Sequence, residues 1–492
     1  MGFPISLNDL NAVLPFTFLV VWAVVLLLVD LWIPKNYKGI TAALSALGIV
    51  VAFGLLIWKT TEFPEAVRLT GSASITGFNG TVVLGTFSAV MQALLLVAGL
   101  VGIAAAYDYL KRMQIERGEY YPLLLFSLSG MMLMSQALDM IVIFLALELL
   151  SLPLYVLSGF ARPRLDSEES ALKYFFMGTF GSAFFLFGTA MLFGYSGTTL
   201  LVNIFSLSTN SDFPQILLFI GCALVLVGLG FKVSLVPFHM WTPDVYQGAP
   251  TPVVTFMSVG VKIAGFTALL RVILLVFPMF SSALPAILFG LSALTMIVGN
   301  IMAVVQTNMK RMLAYSGIAG AGYLLMALIP YDPLISTSSP DQAFIFYLVA
   351  YALSNFAAWS VVIMVEQEDA KGLEIKDYAG LGRKNPWLGL IMLVAMLSLA
   401  GVPLTLGFWG KFYLFQYVID GGYWPLALIG LITSVIAAVY YLRVIMMMFM
   451  QPGEPVVRKN FWLILVAALS ALAVLGLAFI PGLLQNVLWG WH

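Results

Sequence analysis

Apolar residues in this chain come in long, nearly unbroken runs. The alternating or every-third-and-fourth patterns of half-buried strands and helices are not what dominates it. A membrane-crossing helix needs about 20 mostly apolar residues. Fourteen runs fit that description: 11–33, 40–58, 82–107, 119–136, 139–160, 170–195, 214–237, 249–277, 284–306, 311–330, 341–366, 385–423, 425–449 and 459–483. The run 385–423 is too long for one simple span and contains Gly401, Pro403, Gly407 and Gly410, which predicts a twelfth helix broken near its middle. Pro237, near the end of the seventh run, predicts a second break, because proline removes one helical hydrogen bond and frees the carbonyl four residues back. The expected fold is an all-α integral membrane protein of about 14 transmembrane helices, with helices 7 and 12 broken. One stretch departs from this pattern. Residues 66–88 carry β-branched side chains around Asn79-Gly80, a strong hairpin-turn signal, and predict a short β-hairpin.

Composition agrees with the pattern. Of 492 residues, 61% are hydrophobic and 9% charged, against about 25% charged in a soluble domain, so the expected solvent is a lipid bilayer. Lys+Arg and Asp+Glu are balanced at 23 each, which gives no reason to expect a nucleic-acid partner. Cys222 is the single cysteine, and His239 and His492 are the two histidines. An internal disulfide is excluded, and neither a metal site nor a haem site is expected. No lysine or arginine precedes the first run, so the start does not read as a cleaved signal peptide. Loops after odd-numbered helices hold fifteen lysines and arginines, and loops after even-numbered ones only Lys59 and Arg68. By the positive-inside rule the odd loops face the cytoplasm, which places both termini and the hairpin on the other side.

Against this background, charges inside the runs need a reason, since an ionisable group at the centre of a membrane helix costs about 2.5–3.5 kcal/mol or more. Glu148 lies nine residues into its run, about 14 Å deep at the helical rise, and a short carboxylate there cannot reach the interface. Lys262 lies about 18 Å from Pro250 by the same measure. Lys232 is late in its helix, but Pro237 frees the carbonyl of Val233 beside it, just as Pro153 frees that of Leu149 beside Glu148. Freed backbone at membrane depth is tolerated where it is buried in protein or faces water. Lys411 follows the break at 401–410, and broken helices at mid-membrane are where transporters hold ions. Lys173 lies near the start of its helix, and position alone leaves it undecided. His239, just past Pro237, is equally suited to relay protons or to cap freed backbone. Arg271 and Arg443 read as residues that reach an interface, and Asp139 and Asp244 as loop or interfacial residues. One acid, Glu148, cannot neutralise four bases. Desolvation and like-charge repulsion both disfavour an ammonium group, so such a row suits proton exchange. In the seventh helix the lysine precedes the proline, and in the twelfth it follows. That order suits two five-helix repeats of inverted topology.

At this point a resemblance is specific. The segment Phe231-Lys232-Val233-Ser234-Leu235-Val236-Pro237-Phe238-His239-Met240-Trp241-Thr242-Pro243-Asp244, continuing Val245-Tyr246-Gln247-Gly248-Ala249-Pro250-Thr251-Pro252-Val253, resembles the signature of the antiporter-like subunits of respiratory complex I. Among these it is similar to NADH-quinone oxidoreductase subunit N and to mitochondrial NADH dehydrogenase subunit 2. Further matches are Ala146-Leu147-Glu148-Leu149, Ala171-Leu172-Lys173-Tyr174-Phe175, Lys310-Arg311-Met312-Leu313-Ala314-Tyr315-Ser316 and Leu404 to Phe412. The resemblance implies a proton relay. Glu148 pairs with Lys232, Lys173 lies near that pair, Lys262 passes the proton on, and Lys411 is the exit residue.

The same resemblance implies a subunit of an H+-translocating NADH:quinone oxidoreductase. Electron transfer from NADH to quinone in partner subunits would drive the pumping. This chain is expected to hold no cofactor; NADH, FMN, iron–sulfur clusters and quinone are expected in partners. Those partners are other membrane-arm subunits, M and K-like neighbours, so a stand-alone monomer is not expected. The implied location is the bacterial plasma membrane. Two alternatives stay open, a subunit of an Mrp-type cation/proton antiporter and a structural spacer of the membrane arm. The expected organisation is 1–118 for three N-terminal helices with the hairpin, 119–277 for a first repeat (helices 4–8), 278–450 for a second (helices 9–13) and 451–492 for helix 14.

Overall fold

A computed structural model describes residues 5–34, 37–61, 74–208, 215–276, 283–329, 340–368 and 371–482. The chain begins with α1 (Leu7–Val29) and α2 (Gly39–Thr61). Ser6 caps α1: its hydroxyl accepts from the Asp9 amide while the Asp9 carboxylate accepts from the Ser6 amide. This reciprocal pair satisfies two donors that a helix start leaves open. The expected hairpin follows as antiparallel β1 (Ser74–Gly77) and β2 (Val82–Gly85), with Gly77 opposite Val82. Asn79 and Gly80 both take positive φ in the connecting turn, the backbone state that Asn and Gly adopt most readily. Residues 66–73 of the expected stretch lie outside the described residues.

Next come α3 (Thr86–Arg112), α4 (Tyr120–Gln136), α5 (Met140–Ser158), α6 (Leu165–Ser196) and the short α7 (Leu201–Ser208). The seventh run is helical only over α8 (Gln215–Lys232), and the short α9 (Trp241–Gly248) follows beyond its end. After these lie α10 (Thr251–Leu275), α11 (Leu284–Val304), α12 (Met309–Met326) and α13 (Pro340–Val365). The 385–423 run divides into α14 (Pro386–Ala400) and α15 (Leu406–Asp420), and α16 (Trp424–Met450) and α17 (Phe461–Phe479) follow.

Ten of the described helices are long and apolar enough to cross a membrane, so the chain is a multi-pass helical membrane protein. Burial sorts them. The most apolar window of α10 is wholly buried and that of α13 is 94% buried, while those of α1, α16 and α17 are about one-third buried. The outer helices turn Leu, Val, Ile, Phe and Trp outward, as a lipid-facing surface requires. Polar residues collect inward, where Thr251, Thr255, Ser258, Lys262 and Thr267 of α10 are all buried. The helices approach closely at small residues, as membrane helices do. A Cβ on Gly130 of α4 would lie 2.3 Å from the Leu150 amide nitrogen of α5, and one on Gly299 of α11 would lie 2.6 Å from the Ala319 amide nitrogen of α12.

Candidate proton path

Each broken helix carries one lysine at its break. Helix α8 ends at Lys232, and the chain runs irregularly from Val233 to Met240 before α9 begins. The interruption is therefore longer than one proline explains. Ser234 takes φ +66 within it and shares a hydrogen bond of 2.7 Å with Thr242. The Trp241 indole donates to the Phe231 carbonyl at 2.9 Å, and the Val236 amide to the Thr295 hydroxyl at 3.1 Å, so α9 and α11 take up groups the helix has released. The Lys232 ammonium donates to the Ser151 hydroxyl of α5 at 2.6 Å and the Tyr174 hydroxyl of α6 at 3.2 Å, and lies 5.3 Å from the Tyr174 ring centre.

Glu148 is one helical turn before Ser151 on α5. Its carboxylate acts on Lys232 electrostatically, with Ser151 as the atom that the ammonium touches. Glu148 is only partly buried. It borders the exposed Leu145, Leu152 and Val156, at the rim of a face this chain leaves open.

The second break reverses the geometry. Helix α14 stops at Gly401, φ +85, and α15 starts after Thr405. Lys411, in the second half, reaches back across the break. It donates to the Ala400 carbonyl at 2.9 Å and to the Ser434 hydroxyl of α16 at 2.7 Å, 4.7 Å from the Tyr323 ring centre. The Ala400 carbonyl is one that the end of α14 leaves without a helical donor.

Lys262 lies between the two on the buried α10. It donates to the Gly317 carbonyl of α12 and sits 5.2 Å from the Tyr351 ring centre of α13. Gly265, one turn along α10, lets the first break approach: a Cβ there would stand 2.6 Å from Val233 Cγ1 and 3.8 Å from Lys232 Cγ. On its other side a cavity of about 10 Å³, room for about one water, is walled by Lys411 and by Tyr351, whose ring faces Lys262. Tyr323, Tyr347, Tyr351, Asn300, Ser316 and Tyr440 are among its walls. These groups are already hydrogen-bonded in chains, Tyr440 to Asn300 at 3.0 Å, Tyr323 to Thr433 at 3.2 Å and Ser316 to Tyr441.

Lys232, Lys262 and Lys411 are at most 5% exposed, whereas the Lys173 side chain is 41% exposed. The structure thus places Lys173 outside the buried row. It pairs with Glu169 at 2.7 Å and Asp244 at 2.8 Å, and Asp244 also binds Arg311 at 2.7 Å. Burial opposes the Asp244 charge, but the bonds from Lys173 and Arg311 outweigh it and hold the carboxyl below its usual range. The residue of α6 that touches Lys232 is Tyr174, the next one along, because adjacent helical positions point about 100° apart. His239 is half-buried in the first break beside the Pro237 backbone.

Two arginines behave differently from one another. Arg443 donates to the Val304 and Gln306 carbonyls at the end of α11, at 2.9 and 2.5 Å, as a residue near the helix end would. Arg271 lies at the level of the hairpin but is buried within the protein. It donates to the Ala137 carbonyl at 2.8 Å and the Ser88 hydroxyl at 2.9 Å. Depth counting cannot separate a lipid interface from a protein interior at the same height. Asp139 caps α5, accepting from the Ile141 and Val142 amides at 2.8 and 3.2 Å.

Sequence reading missed the tyrosines and the buried Glu366. A tyrosine hydroxyl in an apolar run needs a polar partner when buried. Tyr347 and Tyr351, four apart on α13, were the available signal. Glu366 lies at the edge of its run, where counting could not tell it from a loop residue.

The family model for the membrane segments of NADH:quinone oxidoreductase and Mrp antiporters matches residues 137–437. Similar proteins include NADH-quinone oxidoreductase subunit N of Chloroflexus aggregans, 44% identical over 481 residues covering 96% of this chain and 95% of the relative. Subunit N of Trichlorobacter lovleyi is 41% identical over 485 residues, covering 98% and 95%. Among solved structures, a chain of respiratory complex I from Thermus thermophilus is similar with a TM-score of 0.79 and 35% identity, covering 95% of this chain and 98% of that one. A chain of the Mrp complex from Dietzia, TM-score 0.81 at 20% identity, covering 99% and 97%, shares the fold. With full-length relatives at this identity and a complex I subunit of the same architecture, the chain belongs to the NADH-quinone oxidoreductase subunit N family.

Proposed function

We propose that this chain is a proton-translocating membrane-arm subunit of NADH:quinone oxidoreductase, and that Glu148, Lys232, Lys262 and Lys411 carry its protons. The observation that carries the reading is the support given to the three lysines. Each ammonium rests on hydroxyl or carbonyl oxygens and beside a tyrosine ring, and none forms an ion pair within the described residues. Charge-assisted hydrogen bonds are worth about 1.5–3 kcal/mol each, which is close to the roughly 2.5–3.5 kcal/mol that a charge costs at this depth. That near balance suits a group that must both gain and lose a proton. A full salt bridge would hold the charge in place.

Lys173, with Glu169, Asp244 and Arg311, forms a charged mouth beside the first broken helix, and His239 lies within that break. In this reading the mouth collects protons, and Tyr174 and Lys232 receive them. Lys262 passes them through the tyrosine cavity to Lys411. Electron transfer from NADH to quinone belongs to partner subunits, with their FMN and iron–sulfur clusters. Moving one charge against 100 mV requires about 2.3 kcal/mol, so the driving force must be delivered from those partners. The partly exposed Glu148, unfavourable against lipid, suits a neighbouring membrane-arm subunit packed over that face. The wider architecture belongs to the same reading: about 14 spans, ten of them in two inverted five-helix repeats (119–277 and 278–450), in a bacterial plasma membrane with both termini non-cytoplasmic.

The test uses the assembled complex in proteoliposomes. Quinone reduction and proton uptake are measured together for Lys232→Ala and Glu148→Ala. The expected result is loss of pumped protons per electron with assembly retained. Unchanged pumping in both variants would assign the chain a spacer's role.

A further inference from the structure

A second buried charged cluster lies away from the row of lysines, on the side of the odd-numbered loops. Glu366, just past the end of α13, is 1% exposed. One of its carboxylate oxygens accepts from the Tyr109 hydroxyl of α3 at 3.0 Å, and the other has no partner among the described residues. Lys310, in the first turn of α12, is 2% exposed. Its ammonium donates to the Ala249 carbonyl at 2.7 Å and feels the Glu366 charge. Tyr378, fully buried, also lies within electrostatic range of Glu366, and its hydroxyl is unpartnered. The Tyr109 hydroxyl approaches the Thr251 backbone at the start of α10, and the buried Thr251 hydroxyl is likewise unpartnered.

Thr251 begins a polar stripe. Thr251, Thr255, Ser258 and Lys262 follow at spacings of four, three and four residues, which keeps them on one face of α10. The Thr255 hydroxyl donates to the Thr251 carbonyl at 2.9 Å and the Ser258 hydroxyl to the Thr255 carbonyl at 3.0 Å. The Tyr351 hydroxyl reaches the Ser258 carbonyl at 3.4 Å, and the Tyr351 ring is the one beside Lys262. The stripe covers about 16 Å at the helical rise, with every member buried. Outside Glu366, a surface depression lined by Gln367, Gly372, Glu374 and Asp377 opens to solvent, and Gly372 packs directly on the Glu366 backbone.

A buried carboxylate with a free oxygen, two further unpartnered hydroxyls and a line of bonded hydroxyls is what a file of bound waters needs, since each such water makes about three hydrogen bonds. We infer that Glu366 is the uptake carboxylate of a second access path, which delivers protons from the odd-loop face to Lys262 along Thr251, Thr255 and Ser258. The inference rests on the relay reading above and gives Lys262 a proton supply of its own, while Lys232 stays the site through which the driving event reaches the row. Glu366 takes a proton from solvent and releases it inward, while Tyr109, Tyr378 and Lys310 position it.

The experiment measures coupled turnover and protons per electron, per assembled complex, in proteoliposomes. Glu366→Gln is compared with Glu366→Asp, Lys262→Ala and the stripe variant Thr255→Val/Ser258→Ala. The expected result is a fall of at least about tenfold in coupled turnover for Glu366→Gln, with recovery in Glu366→Asp and a similar fall in the stripe variant. A merely structural role would lower the yield of assembled complex in Gln and Asp alike and leave turnover per complex unchanged, which would overturn the proposal. Wild-type turnover in Glu366→Gln beside a silent Lys262→Ala would also overturn it and leave the relay standing. Wild-type pumping in Lys262→Ala would remove the relay reading itself. If Glu366→Gln does not assemble, the stripe variant decides, with unchanged turnover counting against the path.

Discussion

The two broken helices hold their lysines in opposite ways. Lys232 ends the first half of its helix and turns sideways to hydroxyls of α5 and α6, with Glu148 one turn from the hydroxyl it touches. Lys411 sits in the second half and reaches back to the last carbonyl of the first half and to a serine of α16, with no acid paired to it among the described residues. The first site can respond to a neighbouring charge through Glu148. The second is governed by helix ends and hydroxyls. The difference fits an input coupled to an outside event and an output set by fixed dipoles.

The largest expected effect tests whether both lysines move protons. Lys232→Ala and Lys411→Ala should each lower coupled proton pumping by on the order of a hundredfold, measured as acid uptake during quinone reduction. Arginine keeps the charge but cannot be deprotonated. Lys232→Arg and Lys411→Arg should therefore match the alanine variants, and recovery of pumping in either would mean that charge alone suffices there. The tyrosines divide the two sites next. The Tyr174 hydroxyl contacts Lys232, whereas the Tyr323 hydroxyl bonds Thr433 and only its ring faces Lys411. Removing a bond to a charged group costs about 1.5–3 kcal/mol, so Tyr174→Phe should slow turnover about tenfold and Tyr323→Phe clearly less.

Backbone geometry gives a smaller effect. Gly401→Ala puts a Cβ at φ +85, 2.8 Å from Lys411 Cδ, and should destabilise the break by about 1–2 kcal/mol, read as a lower melting temperature of the purified complex. The smallest effect is at the exposed mouth. Asp244→Asn should cost at most about 1 kcal/mol, as partly exposed ion pairs do. Because the folded Asp244 carboxyl is held below its usual range, its contribution is present above the ordinary aspartate range near pH 3.9. It is lost as pH falls through the lower folded value. Melting curves of wild type and Asp244→Asn should therefore converge at acid pH.

Much of this was legible in the chain. Run lengths marked the ten described helices that are long and apolar enough to cross a membrane, and Gly401 with Pro403 and Pro237 located both breaks. Asn79-Gly80 located the hairpin turn. The lysines Lys232, Lys262 and Lys411 stood out because apolar surroundings make a charge conspicuous. Depth alone was not enough for the rest. Counting residues along a helix gives height, while burial depends on which side faces a neighbour. Lys173 and Tyr174 are adjacent, yet the lysine faces a charged mouth and the tyrosine faces Lys232. Arg271 and Glu366 lie near helix ends, where a loop, a lipid interface and a protein interior read alike. Tyrosines were hidden because they count as apolar in a hydropathy pattern and act through one oxygen.

The central claim is that the two breaks belong to one path. The measurement that tests it is protons pumped per electron, per assembled complex, for Lys232→Ala, Lys411→Ala and the double variant. Residues acting as one unit are strongly non-additive, so the account predicts that the double variant pumps no less than the weaker single variant. Losses that multiply in the double variant, or full pumping in either single one, would contradict it.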